Sequence, residues 1–131
     1  MFKSQTGVVL FFLASGAAMA AQPNRSASLQ QITTTRSGSV WYLDRATLKT
    51  DGRTASAWLT MDHSRDKTER ARETRALIEF ECAGDDYRWV QYFSYRRNGS
   101  EMPERVPPNV TRGIAPGSPV EAAKQALCRG G

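Results

Sequence analysis

Pro116-Gly117-Ser118-Pro119-Val120-Glu121-Ala122-Ala123-Lys124-Gln125-Ala126-Leu127-Cys128 reads as one short, well-delimited helix. Ser118 can accept a hydrogen bond from the Glu121 backbone N–H while the Glu121 side chain reaches back to Ser118, forming a capping box. Pro119 takes the first helical position, and Gly130 supplies the stop. Val120, Ala123 and Leu127 recur on one face at helical spacing, with Cys128 beside that stripe. A helix this short gains its stability from packing, so the stripe needs a surface.

The surface is indicated by the other cysteine. Ala76-Leu77-Ile78-Glu79-Phe80-Glu81-Cys82 alternates as a strand does: Ile78, Phe80 and Cys82 face one way, Glu79 and Glu81 the other. Two cysteines allow one intramolecular pairing, Cys82 with Cys128, against the alternatives of a reduced pair or an intermolecular bridge. Closing a loop of that length is worth roughly 4 kcal/mol in the chain-entropy description. A bridge needs Cα atoms within about 7 Å, which a helix end lying across this strand satisfies. The helix is therefore expected on the Ile78, Phe80 and Cys82 face.

The remaining strands follow from alternation and turn chemistry. Val40-Trp41-Tyr42-Leu43 and Ala46-Thr47-Leu48-Lys49-Thr50 are β-prone, and Asp51-Gly52 marks a hairpin into Thr54–Met61. Asp62 to Arg75 is dominated by charge and reads as an exposed loop. Tyr87 to Arg96 reads as the longest strand, with Tyr87, Trp89, Phe93 and Tyr95 on one face alongside Gln91. Asn98-Gly99 closes a hairpin into a strand of about Met102 to Val106, which Pro107-Pro108 ends. With no βαβ alternation and no repeat, the fold class is α+β: an antiparallel meander of five or six strands with one C-terminal helix packed on one face and tied by a disulfide.

Residues 1–20 have the pattern of a secretory signal peptide, Lys3 before the apolar run Val8–Ala14 and then Ala18-Met19-Ala20, with cleavage expected after Ala20. The run is too short for a membrane anchor, and no cysteine follows the cleavage position to carry a lipid. The mature chain is expected to be exported, to the periplasm or outside the cell, where a disulfide persists. Its net charge would be +4, Lys3 being the only charged residue lost from +5. Residues 21–38, rich in Ser, Thr and Gln, read as a flexible segment, and 39–131 as the single domain.

Catalytic and metal chemistry find few residues. His63 is the one histidine and reads as a solvated loop residue; Ser64, Asp62 and Asp66 are its neighbours in sequence only. No catalytic, cofactor or metal site is assigned, since a zinc site wants three or four ligands and the acidic residues lie singly among arginines. Asp85-Asp86 reads as a turn cap, and Glu79 with Glu81 as a solvated strand face. Arginine is the excess. Arg65, Arg70, Arg72 and Arg75 surround the charged loop and Arg96 and Arg97 flank Asn98-Gly99, so these six are the candidate ligand contacts. Such a patch suits an acidic protein, a sulphated polysaccharide or an anionic envelope surface. Asp62, Asp66, Glu69 and Glu73 would offset much of it. Nucleic acid is not expected as a partner, for want of a binding motif in an exported chain.

Taken in order, Tyr42-Leu43-Asp44, Trp58 after a Gly-containing turn, Cys82 at the end of a strand, Tyr95 before Asn98-Gly99, Pro116-Gly117-Ser118 and Cys128 resemble the surface-adhesin protein E family of bacteria over roughly Val40 to Cys128. The resemblance implies an antiparallel sheet with a C-terminal helix tied to it by Cys82–Cys128, and an adhesin that binds extracellular-matrix proteins and plasminogen. The expected function is thus a non-enzymatic, adhesin-like binding protein of the cell envelope, without a cofactor, contacting matrix or acidic surface ligands. A periplasmic structural or envelope-maintenance protein with no host ligand is the alternative.

Overall fold

Strict alternation builds the centre of the sheet. The computed structural model describes residues 28–103 and 108–129; the expected signal peptide, its cleavage position and the Gly130 stop lie outside them. Strands β1 (Leu29–Thr34), β2 (Val40–Asp44), β3 (Lys49–Thr50), β4 (Thr54–Asp62), β5 (Ala71–Glu81), β6 (Asp86–Arg96), β7 (Glu101–Met102) and β8 (Thr111–Gly113) are followed by helix α1 (Pro119–Arg129). They form one antiparallel sheet in the order β1-β2-β4-β5-β6-β7, with β3 on β4 and β8 on β6. Eight strands stand against the expected five or six, the additions being the edge strand β1 and the three-residue β8.

One face of this sheet is the core. Ala55, Ala57, Leu59 and Met61 of β4 are paired with Phe80, Ile78, Ala76 and Thr74 of β5, and all are buried. Trp41 and Leu43 of β2 continue the layer. Small alanines opposite the large Phe80 and Ile78 leave room for α1, which contributes the buried Ala123 and Leu127 with Val120 at their side. Ser118 Oγ accepts from the Glu121 N–H at 3.3 Å, while Glu121 Oε2 takes the N–H of Gly117 and not that of Ser118, so the capping box closes one residue early. Cys82 and Cys128 are bonded with Cα atoms 5.7 Å apart, on the expected face. Lys124 Nζ donates to the Gly84 carbonyl, fastening the middle of the helix to the β5–β6 turn. No helix among the described residues is long and apolar enough to cross a membrane.

Several expectations are corrected. Residues 29–34, within the segment read as flexible, form edge strand β1: it satisfies its backbone on β2, and Ile32 alone packs against the core, so little apolar signal is needed. Arg45–Thr47 is a 3-10 turn, because the Asp44 side chain accepts from the Ala46 N–H, which leaves only Lys49–Thr50 as strand. The charged stretch is a loop only over residues 63–70, since β4 runs to Asp62 and β5 starts at Ala71. Tyr87, Trp89, Phe93 and Tyr95 do not share a face. The β5–β6 register slips at Val90, since Ile78 pairs with Trp89 but Leu77 with Gln91. This bulge puts Tyr87, Trp89, Tyr92 and Ser94 on the core face and Gln91, Phe93 and Tyr95 on the other. The return strand β7 holds only Glu101–Met102; residues 104–107 lie outside the described residues.

The cross-link closes a 46-residue separation, so its loss is expected to cost about 2–4 kcal/mol. Chemical unfolding with and without reductant, for the parent and Cys82→Ser, checks this. The parent should fall to the level of the variant on reduction, and the variant should not respond; equal midpoints in all four samples would exclude a stabilising link.

Candidate functional site

Strand pairing collects charge at one end of the sheet. The loop of residues 63–70 joins β4 to β5, the turn of residues 97–100 joins β6 to β7, and Ala71 pairs with Arg96 between them. Arg97 donates from its guanidinium to the Ser64 carbonyl at 3.3 Å and to the Asp66 carbonyl at 3.5 Å, which locks turn to loop. Arg96 is tied within its own turn, to Ser100 Oγ and the Glu101 carbonyl. Arg65, Arg70 and Arg72 are exposed and form no ion pair among the described residues. The structure thus brings together Arg65, Arg70, Arg72, Arg96 and Arg97. Arg75 stands apart on the open face, paired with Glu73 at 2.8 Å and 5.9 Å above the Tyr95 ring, near the stacked Trp58 and Phe93.

The loop's acidic residues do not all face solvent. Asp66, read as part of a solvated run, is buried at 2 % exposure, and His63, read as solvated, at 6 %. The reason lies in hydroxyls distant in sequence. Ser37 and Ser39 donate to Asp66 Oδ2 at 2.7 and 2.6 Å, and Thr68 donates its N–H and its hydroxyl to Oδ1 at 3.0 and 2.5 Å. These four donors occupy the lone-pair positions of the carboxylate and repay its desolvation without a cation. They also hold its carboxyl well below the usual carboxylate range, Ser37 first, then Ser39 and Thr68. The β1–β2 turn must approach closely for this: Gly38 has φ +109°, and a Cβ there would lie 3.0 Å from the Arg65 carbonyl oxygen.

A hydrogen-bonded chain continues inward from Asp66. Because the Ser39 hydroxyl proton goes to the carboxylate, its contact with His63 Nδ1 at 2.7 Å has the ring N–H donating to Ser39. In the neutral ring Nε2 then accepts from Thr74 Oγ1 at 3.1 Å, and Thr74 meets Ser94 at 3.0 Å. The order is Asp66, Ser39, His63, Thr74, Ser94. A nucleophilic triad places histidine between hydroxyl and carboxylate; here the serine lies between them and is 3 % exposed, so its oxygen is neither activated nor accessible. No local motif announces the chain, since Ser39, His63, Thr74 and Ser94 come from four separate segments. Of the other carboxylates, Glu79 pairs with Arg88 at 3.1 Å and Asp62 accepts from the Ser64 N–H, which lowers its pKa.

Asp66 makes stability pH-dependent, with a definite sign. A carboxyl depressed in the folded state contributes fully above its unfolded value, about 3.9, and loses that contribution as pH falls toward the folded value. Urea midpoints should hold steady from pH 7 to about pH 5 and drop steeply below about pH 4. Asp66→Asn should begin lower at pH 7 and show a shallower acid slope. Parallel slopes would exclude Asp66 as the source.

The geometry can be set beside known proteins. The family model for surface-adhesin protein E matches residues 29–129, and so includes β1. A search of curated proteins found no match. Among solved structures, the chain is similar to Haemophilus influenzae protein E in crystal form II (17 % identity, 69 % of this chain and 80 % of that one, TM-score 0.52). A further structure of that protein matches at 15 % identity, 79 % and 86 % coverage and TM-score 0.53. Its selenomethionine form matches at 18 %, 78 % and 94 %, and 0.51. At such identities the likeness establishes the fold, whereas the family match spans most of the sequence: the chain belongs to the surface-adhesin protein E family.

Proposed function

We propose that this chain is an exported, non-enzymatic binding protein of the bacterial cell envelope that holds acidic ligands against the loop end of its sheet. One observation carries the reading. Arg65, Lys67, Arg70, Arg72, Arg96 and Arg97 are exposed there, while Asp66 is turned inward and Glu73 is engaged by Arg75. The charge balance that composition suggests is therefore not the balance the surface presents. Glu69 and Glu101 are the exposed carboxylates of the same loop and hairpin, and Asp62 is half-buried. A net cationic end steers anionic partners and holds them through contacts that salt weakens. Family membership supports an adhesin-like role, and matrix proteins or sulphated glycans on a host surface have the matching chemistry.

Retention on immobilised heparin and on matrix proteins, at low salt and at about 0.5 M, tests this. The expected result is binding at low salt that is largely lost at high salt, and about tenfold weaker in the Arg65→Gln, Arg70→Gln, Arg72→Gln triple variant, in which only exposed side chains change. Salt-insensitive retention, or an unaffected triple variant, would place the contact elsewhere. Absence of binding, with the protein confined to the periplasmic fraction, would instead favour an envelope-maintenance role.

A further inference from the structure

A cavity of about 290 Å³ opens on the helix-bearing face at the loop end, separate from the exposed arginines. Trp41, Trp89 and Tyr92 form its aromatic wall, with Trp89 and Tyr92 edge-to-face at 5.5 Å. The buried Asp66, the exposed Glu69 and the hydroxyl-bonded His63 line it as well. At the lower end of ligand-site volumes, it suits a small molecule.

Its chemistry narrows the occupant. Asp66 is a buried carboxylate kept ionised by neutral donors, and it forms no ion pair among the described residues. The cavity beside it thus faces a carboxylate with which no described side chain forms an ion pair, the Arg97 guanidinium being bonded to the backbone carbonyls of Ser64 and Asp66 instead. Yet all four acceptor positions of that carboxylate are filled, so a ligand can use its field but not its lone pairs. An N–H-bearing ammonium would find no acceptor on Asp66. A divalent metal is disfavoured likewise: His63, Asp66 and Glu69 have ligand atoms within 4.8 Å of one another, but both ring nitrogens of His63 are engaged by hydroxyls. A cation without N–H groups, whose charge is spread over methyls, needs only aromatic faces and a nearby carboxylate.

We propose that this cavity binds a small quaternary ammonium compound, its methylated head against Trp41, Trp89 and Tyr92 and its charge facing Asp66 and Glu69. The inference does not rest on the basic surface, and its probes carry no negative charge. Indole emission reports directly, because two tryptophans line the site.

Tetramethylammonium and choline are titrated against the full domain, followed by fluorescence and calorimetry, beside ammonium, the neutral choline isostere 3,3-dimethyl-1-butanol, and zinc. Saturable binding of both quaternary cations below about 10 mM is expected, with the neutral isostere at least about tenfold weaker. Glu69→Gln, a change at an exposed residue, should weaken choline about two- to fivefold at unchanged Tm, and Trp89→Leu by about tenfold or more. The proposal is overturned by equal affinity for the neutral isostere, by no saturable response to either quaternary cation, or by an unaffected Glu69→Gln. Zinc binding abolished by His63→Gln, with no quaternary-ammonium response, would identify a metal site in its place.

Discussion

The bond between Cys82 and Cys128 decides which face of the sheet becomes interior. An antiparallel sheet of this size has two faces that could each be buried, and a helix of eleven residues is too short to select between them by propensity alone. Anchoring its last turn to β5 commits α1 to the side of Ile78 and Phe80. Ala123 and Leu127 then complete the core, and Lys124 reaches the β5–β6 turn. Everything placed on that face inherits the choice, including His63, Thr74, Ser94 and the aromatic cavity wall. The opposite face keeps Trp58, Phe93, Tyr95 and Arg75.

The same residues show how far this fold can be read from sequence. The Ile78, Phe80, Cys82 alternation and the Ser118 to Cys128 helix were legible because each is a local pattern with one physical solution. The Asp51-Gly52 hairpin was legible for the same reason: Gly52 has φ +88°, and Asp51 accepts the N–H groups of Arg53 and Thr54. What escaped depends on partners distant in sequence. A one-residue slip at Val90 reverses the faces of all that follows in β6, and nothing in Tyr87–Arg96 marks it. β1 escaped because an edge strand in a Ser- and Thr-rich stretch draws its stability from the β2 backbone, with Ile32 its one contact to the core.

The site was legible in part. Arginine excess pointed to one end of the sheet, and hairpin pairing does bring Arg96 and Arg97 to the loop that carries Arg65 and Arg70. It did not show that Arg75 is spent on Glu73 and Tyr95. Nor did it show that the most acidic-looking run has its central carboxylate buried. Burial of Asp66 needs Ser37 and Ser39 from the neighbouring β1–β2 turn, distant in sequence, and a glycine at 38 to let that turn approach. Composition cannot express such a requirement.

Asp66 links the loop's shape to its surface. A carboxylate held by four donors fixes the turns of residues 63–70, with its own N–H bonded to the His63 carbonyl and its carbonyl to Glu69. Turning that charge inward costs desolvation, which the hydroxyls offset. Two consequences follow together. The outer surface loses an anion and becomes more basic than its sequence suggests, while the inner cavity gains one and becomes hospitable to a cation. One residue thereby gives opposite electrostatic characters to two sides of a single loop, and a substitution that frees Asp66 to solvent would weaken both at once.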